Sequence, residues 1–224
     1  MEAVYNEAVR PPAEQVAAFQ EVLRSYSPSC LVADASPDVG AIGGWQVVKR
    51  EHVVAGPALT VDLPADLLVD ILPVLPRAHP GDVVVLACHG RVDMAMWGGL
   101  MTTLSKMAGI AGAVVDGAVR DVDELRELDF PLWYRTAHPR RCPPVVPGQS
   151  APVRVNVPIE VGGALIRPGD IVVADENGVG VVPPAEADAV LAGVRDLLAK
   201  EDVVRDLING GATLDELLAR FGHI

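Results

Sequence analysis

Two short apolar runs, each followed by a helical pattern, constrain the fold more than any other feature of this chain. The first is Val83-Val84-Val85-Leu86-Ala87, and the second is Ala113-Val114-Val115, within a predicted strand at 113–116 that ends at Asp116. Continuous apolar runs of this length are typical of strands buried on both faces. A helix is predicted to open at Gly98-Gly99 and another to cover residues 121–128, before a further strand at 132–136. This alternation predicts an α/β fold with a parallel sheet.

The flanking segments add helices at both ends and a second group of strands. Pro11-Pro12 precede an apolar helical pattern, which predicts an N-terminal helix over residues 12–24. Turn sequences such as Pro168-Gly169-Asp170 separate short apolar runs after residue 152, so this part of the sheet is expected to be antiparallel. We interpret 1–224 as one domain, with its core at about 32–183 and C-terminal helices at about 184–221.

The remaining predicted elements follow in chain order. They are a loop at 34–50, a strand at 58–61, a helix at 66–72, a proline-rich connector at 138–152, strands at 153–157, 171–174 and 179–182, and a helix from Pro184 to about 200 with two more helical segments after it.

Composition excludes several classes of protein. Eighteen basic against thirty acidic residues give a net charge of −12, the wrong sign for binding a nucleic-acid backbone. The longest apolar tract, residues 94–115, is interrupted by Lys106 and four glycines, so no membrane span is expected. Three widely spaced cysteines and an N-terminus without signal-peptide character favour a reducing, cytoplasmic location. A small anionic ligand remains compatible with this charge, because a local arginine or helix N-terminus outweighs distant acids.

Arg120 and Asp121 are the strongest candidate functional residues. They follow the strand at 113–116, with Asp116-Gly117 interpreted as the turn that ends it. Ligands of open α/β sheets bind beyond the carboxyl ends of the strands, where these two side chains are predicted to lie. Asp121 has two interpretations: an N-cap in a capping box with Glu124, or a carboxylate ligand of a hard cation such as Mg²⁺. Arg120 has the planar fork that suits a carboxylate or α-keto acid.

The segment Gly98-Gly99-Leu100-Met101 is the second candidate. Its glycines leave backbone N–H groups bare at a predicted helix start, where anions bind favourably. Because this segment and Arg120 follow neighbouring strands, we expect both at one edge of the sheet. Lys106 offers an alternative chemistry through a Schiff base, although an apolar helix is also a place from which lysine reaches solvent. His89 follows the strand at 83–87, but a structural role is the simpler interpretation.

With these residues identified, the chain resembles the RraA-like family. That family includes the class II 4-hydroxy-4-methyl-2-oxoglutarate/4-carboxy-4-hydroxy-2-oxoadipate aldolases, the regulator of ribonuclease activity A, and members once labelled demethylmenaquinone methyltransferases. The resemblance runs from about residue 32 to about 215. Its strongest parts are Ala95-Met96-Trp97-Gly98-Gly99-Leu100, the segment from Gly109-Ile110-Ala111-Gly112 to Arg120-Asp121, and Pro168-Gly169-Asp170-Ile171-Val172-Val173-Ala174-Asp175.

The resemblance implies a fold, a chemistry and an assembly. The fold is a swivelling-type β/β/α layered domain with a mixed sheet, assembled as a homotrimer or hexamer. The equivalent of Asp121 binds Mg²⁺ or Mn²⁺, that of Arg120 contacts the keto acid, and the amides at 98–101 hold the pyruvate carboxylate. Glu201 matches loosely a glutamate that faces the metal from a neighbouring subunit. The sequence departs from the family at His89-Gly90-Arg91-Val92-Asp93 and at Leu63-Pro64-Ala65-Asp66, so the distal part of the substrate pocket is left undefined.

These implications predict a divalent-metal lyase that cleaves 4-hydroxy-2-keto acids to pyruvate or decarboxylates oxaloacetate. Both reactions develop enolate charge, which a cation and an arginine stabilise. A non-enzymatic trimeric binder like the ribonuclease regulator is the alternative from another class, since fold alone does not specify function. A Schiff-base lyase using Lys106 and a methyltransferase are the weaker alternatives. The sequence offers no obvious protein base, so a metal-bound water is the expected proton shuttle.

Overall fold

The computed structural model describes residues 3–8, 10–63, 72–142 and 153–222. The strands are β1 (Val4–Tyr5), β2 (Gly40–Ile42), β3 (Gln46–Val47), β4 (Val54–Asp62), β5 (Val83–Ala87), β6 (Ala95–Trp97), β7 (Gly112–Val119), β8 (Leu132–Ala137), β9 (Arg154–Val155), β10 (Ile159–Val161), β11 (Ala164–Ile166), β12 (Ile171–Asp175) and β13 (Gly178–Val182). The helices are α1 (Ala13–Val22), α2 (Pro28–Ala35), α3 (Gly99–Met107), α4 (Val122–Leu128), α5 (Ala187–Asn209) and α6 (Leu214–Phe221), with 3₁₀ helices at Leu72–Arg77 and Pro184–Glu186.

A large mixed sheet organises these elements. Its order is β2-β13-β12-β4-β5-β7-β8-β3, and the central pairs β4–β5, β5–β7 and β7–β8 are parallel. The pair β12–β13 is antiparallel, as the turn sequences predicted, and the pair β12–β4, for which no prediction was made, is antiparallel as well. β6 is parallel to the upper part of β7, beyond the end of β5. The carboxyl ends of β6 and β7 therefore lie side by side.

The core lies in three apolar layers, which confirms the α/β class with a mixed sheet and C-terminal helices. One layer lies between the parallel strands and α3 and α4, where Met101 and Leu125 are buried. The second includes Val85 and Val114 from the parallel strands together with Val172 and Val181 from the antiparallel ones. The third packs α1, α2 and α5 against β12 and β13. Aliphatic side chains build most of these layers, as the low aromatic content of 4% requires.

The prediction that Asp116-Gly117 ends a strand was wrong. β7 continues through both residues to Val119, with a register shift against β8 between Val115 and Ala118. The Asp116 carboxylate accepts a hydrogen bond from Arg135 Nε at 2.7 Å, an interaction that the local sequence does not show. A Cβ on Gly117 would lie 2.9 Å from the Cβ of Cys88, so close packing, not a turn, requires this glycine. Arg120 and Asp121 nevertheless follow the strand, because the strand itself is longer.

Three other predictions were wrong at segments that contain or lie next to glycine or proline. No helix was predicted directly after the N-terminal helix at 12–24, but Pro28 is the first residue of α2, a position that proline favours. The predicted loop at 34–50 contains β2 and β3, which pair with β13 and β8. The C-terminal region forms one long helix and one short one, because no glycine or proline interrupts the chain between Gly193 and Gly210.

The other predicted elements that lie within the described residues are present, although the strand predicted at 58–61 extends over β4 and the strand predicted at 153–157 is reduced to β9. Strands β1, β6, β10 and β11 were not predicted. α1 buries Phe19 and Val22, and the strand at 83–87 has the predicted bounds. Most of the predicted helix at 66–72 and the connector residues 143–152 lie outside the described residues. Within the described residues, no helix combines the length and apolar character that crossing a bilayer requires.

Candidate functional site

Arg120 and Asp121 lie immediately beyond β7, at the carboxyl edge of the parallel sheet. The Arg120 N–H donates to the carbonyl oxygen of Trp97 at 2.9 Å, which ties the end of β7 to the end of β6. Asp121 has φ +58°, in the left-handed region that aspartate tolerates better than most residues. Its carbonyl accepts the first hydrogen bond of α4, from Leu125 N–H at 2.9 Å. The sharp turn thus aims both side chains away from the strand.

The capping box with Glu124, one of the two interpretations of Asp121, does not form. Asp121 is the N-cap of α4 by position, but its side chain accepts no hydrogen bond from that helix. Its Oδ2 accepts one instead from Gly99 N–H, at 3.3 Å, and lies 3.4 Å from Arg120 Nε. About one third of each of the two charged side chains is exposed. A partly exposed carboxylate with one long hydrogen bond has lone pairs free for another partner.

Gly98 and Gly99 form the facing wall. Gly98 is the N-cap of α3 and has extended backbone, so its conformation does not require glycine. The limited space at this position does require glycine, because a Cβ on Gly98 would lie 2.7 Å from Asp121 Oδ2 and 3.1 Å from Arg120 Cγ. The structure therefore brings the two glycines together with Arg120 and Asp121, as the sequence predicted from their neighbouring strands.

Leu100 and Met101 complete the first turn of α3. The Leu100 side chain is 78% exposed, whereas Met101 is buried in the layer under the sheet. N–H groups in the first turn of a helix have no acceptor within the helix, so they can bind an anion. That these amides hold a substrate carboxylate stays a prediction. The apolar stripe of Leu100, Leu104 and Met107 faces outward, and the buried face carries Met101, Thr102 and Ser105.

Glu124 is the residue at this site that the sequence interpretation did not recognise as functional. A Cβ on Gly99 would lie 2.0 Å from Glu124 Oε2 and 2.2 Å from its Cδ. The carboxylate thus occupies the space that a side chain at position 99 would fill. The spacing Asp121-x-x-Glu124 did signal a carboxylate near this turn, but it was assigned to capping. Only the packing of α4 against α3 shows where the group lies.

Glu201 lies in another part of the chain. It is on α5, which packs with α1 and α2 in the layer opposite α3 and α4, and its carboxylate accepts a hydrogen bond from Arg205 at 2.7 Å. A single chain does not bring it to Asp121. Its contribution from a neighbouring subunit stays a prediction.

Other reactive groups near the sheet have structural partners. The Lys106 ammonium donates to the carbonyl of Leu128, at the opposite end of α3 from Gly98. Burial raises the pKa of the Cys88 thiol well above its usual range, so this thiol stays protonated and is a poor nucleophile. His89, with φ +50°, pairs with the buried Asp62, which also accepts from Arg154. These groups do not form an alternative catalytic centre around Asp121.

The oxygen atoms around Asp121 suit a hard cation better than a soft one. Asp121 and Glu124 supply carboxylates, and no sulfur or imidazole ligand is described beside them. Among the described residues, no three carboxylate, imidazole or thiol side chains gather as a ready-made metal site. This donor set is compatible with Mg²⁺ or Mn²⁺, because Mg²⁺ commonly keeps several waters and takes one or two protein carboxylates.

The fold and the site define an α/β protein with a carboxylate, a guanidinium and a helix N-terminus at the ends of two parallel strands. The model of the RraA-like family (Aldolase/RraA) matches residues 29–181. The chain belongs to this family. It is 36% identical over 155 residues to a Halalkalibacterium halodurans protein named "Putative 4-hydroxy-4-methyl-2-oxoglutarate aldolase", an alignment that covers 69% of this chain and 71% of that protein.

Two solved structures share this fold. An uncharacterized protein from Pseudomonas syringae superposes with a TM-score of 0.78 at 26% identity, covering 96% of this chain and 97% of the other. Streptomyces coelicolor RraAS2, described as "an unusual member of the RNase ES inhibitor RraA protein family", superposes with a TM-score of 0.73 at 29% identity, covering 88% and 98%. The predicted family and fold are confirmed.

Proposed function

We propose that this protein is a divalent-metal-dependent class II aldolase. It cleaves 4-hydroxy-2-keto acids resembling 4-hydroxy-4-methyl-2-oxoglutarate to pyruvate, and it also decarboxylates oxaloacetate. The observation that carries the proposal is the Asp121 carboxylate, directed at the N-terminus of α3 beside Arg120 and not used to cap its own helix. The named aldolase relative supports the reaction class.

Each residue has a role that its position allows. Asp121, with Glu124 nearby, would hold Mg²⁺ or Mn²⁺, and the guanidinium of Arg120 binds the keto-acid end of the substrate. The first-turn amides of Leu100 and Met101 in α3 bind the substrate carboxylate, while the Gly99 N–H donates to Asp121. When bound, the cation supplies Lewis acidity toward the C2 keto oxygen. These groups share one task, which is to stabilise the negative charge that moves onto the pyruvate portion as a carbon–carbon bond breaks.

The proposed assembly is a homotrimer or a hexamer. The half-buried Arg120 and Asp121 lie at the surface of one chain, next to the outward-facing Leu100. A neighbouring subunit would cover this edge and bring Glu201 toward the cation. Among the described residues of one chain, only Asp121 and the nearby Glu124 are candidate ligands of the cation. This small number supports a site that is completed at the boundary between two subunits.

The experiment that tests this function is a substrate panel. Purified protein is incubated with 4-hydroxy-4-methyl-2-oxoglutarate, related 4-hydroxy-2-keto acids or oxaloacetate, each with Mg²⁺, Mn²⁺ or EDTA, and pyruvate release is measured. We expect release with either cation and loss of release with EDTA that excess cation restores. Release that survives EDTA and is trapped by borohydride would instead identify a Schiff-base enzyme.

A regulatory role is the second candidate. It is favoured by the 29% identity and the TM-score of 0.73 to the Streptomyces protein of the RNase ES inhibitor family. Such a role would need the fold but not the cation. If no substrate in the panel yields pyruvate with any cation, the regulatory function replaces the enzymatic one.

A further inference from the structure

The chain that follows β8 crosses the sheet beside the candidate site. β8 lies on one edge of β7 and β6 on the other, since both are paired with Val119. His138, the first residue after β8, donates its N–H to the Val119 carbonyl at 2.8 Å. Arg141 is then bridged to Ala95 of β6, whose N–H and C=O both bond this segment and so point away from β7. The crossing segment, residues 138–142, therefore passes β7 where that strand ends.

The backbone of the crossing segment is held by hydrogen bonds on both sides of Arg140. The Arg140 carbonyl accepts from the N–H of Ala95 at 2.7 Å, and the Cys142 N–H donates to the Ala95 carbonyl at 3.0 Å. The Arg140 N–H donates to Nδ1 of His138 at 3.1 Å. The point from which the Arg140 side chain leaves the backbone is therefore well defined.

Strand geometry places the two arginines of the crossing segment on different faces. Successive side chains of an extended chain alternate, so Arg140 shares a face with Cys142, and Arg141 lies on the opposite one. Cys142 packs against the apolar layer that includes Met101 of α3 and Leu125 of α4. Arg140 is therefore on the face of the sheet where α3 and α4 begin, which is the face of the candidate site.

Arg140 carries a charge that no described residue neutralises. It is exposed, and none of the ion pairs among the described residues includes it. Other arginines near this edge of the sheet have acidic partners, since Arg135 bonds Asp116 and Arg154 bonds Asp62. In a chain of net charge −12, a guanidinium without an acidic partner beside the site gives a local attraction for an anion.

The distance between Arg120 and Arg140 suits a substrate with a carboxylate at each end. The hydrogen bond from His138 to the carbonyl before Arg120 keeps the Cα atoms of these two residues within about 7 Å. Arg140 is two residues further on, so its Cα is at most about 14 Å from that of Arg120. Each extended arginine side chain covers about 6 Å, and a five-carbon dicarboxylate about 5 Å between its carboxyl carbons. The two guanidinium groups can therefore reach both ends of one such molecule.

We propose that Arg140 binds the second carboxylate of the substrate and makes the enzyme selective for dicarboxylic 2-keto acids, an inference that rests on the proposed lyase function. Its planar fork pairs with the carboxylate at the end remote from Arg120. In 4-hydroxy-4-methyl-2-oxoglutarate this group keeps its charge during cleavage, because it becomes the carboxylate of the second pyruvate. Arg140 therefore binds ground state and transition state alike and determines KM more than kcat.

The variant Arg140→Gln tests the assignment, with Arg141→Gln as the matched control on the opposite face. Pyruvate release with Mg²⁺ is compared for 4-hydroxy-4-methyl-2-oxoglutarate and for 4-hydroxy-2-oxopentanoate, which lacks the second carboxylate. We expect Arg140→Gln to raise KM for the dicarboxylate by about 10-fold or more, with kcat changed by less than about 3-fold. The kcat/KM for the monocarboxylate should change by less than about 2-fold, and Arg141→Gln should match wild type with both substrates.

Oxaloacetate gives a second signature of the same contact. Its remote carboxylate leaves as CO₂ and loses its charge in the transition state, so Arg140 would bind this substrate more tightly than its transition state. Arg140→Gln should therefore raise KM for oxaloacetate and leave kcat equal or higher. An equal loss of kcat/KM with the dicarboxylate and the monocarboxylate, or the same loss in Arg141→Gln, would overturn the assignment.

Binding without turnover separates this assignment from the lyase function. 2-Oxoglutarate and 2-oxopentanoate share the keto-acid end and differ in the remote carboxylate, and neither has the 4-hydroxyl group that cleavage needs. In calorimetric titrations with Mg²⁺ we expect wild type and Arg141→Gln to bind 2-oxoglutarate about 10-fold or more tightly than 2-oxopentanoate, and Arg140→Gln to lose this preference. A preference that persists in Arg140→Gln, or is absent from wild type, would overturn the assignment. Wild-type protein that shows the preference but releases no pyruvate from any substrate would support the Arg140 contact and overturn the lyase function.

Discussion

The carboxylate of Asp121 accepts a hydrogen bond from the N–H of Gly99, 22 residues earlier in the chain, although Asp121 is itself the N-cap of α4. A local cap would have satisfied the N-terminus of α4 and stabilised that helix. The observed contact places a negative charge at the N-terminus of a different helix, α3, where the helix dipole favours it. The site is thus held together between two helices and not within one.

Replacing Asp121 should remove catalysis without unfolding the protein. Asp121→Asn is the most suitable change, because asparagine also tolerates the observed φ of +58°. We expect kcat for pyruvate formation to fall by about 10²-fold or more, through loss of the cation's negatively charged ligand. Binding of Mn²⁺, measured by electron paramagnetic resonance, should weaken as well, while the melting temperature stays close to wild type.

The control for this change is Asp123→Asn, an exposed carboxylate in the first turn of α4. It should leave both Mn²⁺ binding and turnover unaltered. Wild-type turnover by Asp121→Asn in excess Mg²⁺ would show that Asp121 is not a ligand of the cation.

Replacing Arg120 should weaken the interaction of the site with the keto acid and slow turnover. Its guanidinium lies 3.4 Å from Asp121 Oδ2, and its side chain is 37% exposed. Arg120→Ala is expected to lower kcat by about 10²-fold, because no other described cation lies on the Gly98 turn to balance the enolate charge. Steady-state kinetics with Arg126→Ala, an exposed arginine on α4, the helix that follows Arg120, provide the comparison. Equal kinetic constants for the two variants would argue against a substrate contact at Arg120.

A stability prediction concerns the close approach of β4 to the turn that precedes β5. A Cβ on Gly56 would lie 2.2 Å from the backbone oxygen of Gly81, which has no flexible end to move aside. Gly56→Ala should therefore lower the free energy of unfolding by about 1–3 kcal/mol or more, measured by urea denaturation. Gly43→Ala is the control, since nothing lies within 4 Å of its Cβ position, and it should change stability by less than about 0.5 kcal/mol. Similar urea midpoints for the two variants would show that β4 can move to accommodate the methyl group without loss of stability.

The sequence predicted well those elements that are encoded locally. The strand at 83–87 is apolar throughout and buried on both faces, so its pattern had a single interpretation. The order of strand and helix around Gly98 and Arg120 was equally clear, and it placed both at one edge of the sheet before any distance was known. Proline and glycine were harder to interpret, because Pro28 starts a helix and Gly117 continues a strand where a break was expected.

By itself the sequence determined the alternating strands and helices, the aliphatic core, and the position of Arg120 and Asp121 directly after a buried strand. Only the tertiary structure decided where the carboxylates of Asp121 and Glu124 go. The capping box predicted within α4 competed with partners on α3, and the packing of the two helices settled the choice. A local sequence pattern predicts hydrogen bonds within one helical turn. A contact between residues 22 positions apart depends instead on the distance between α3 and α4 in the folded protein.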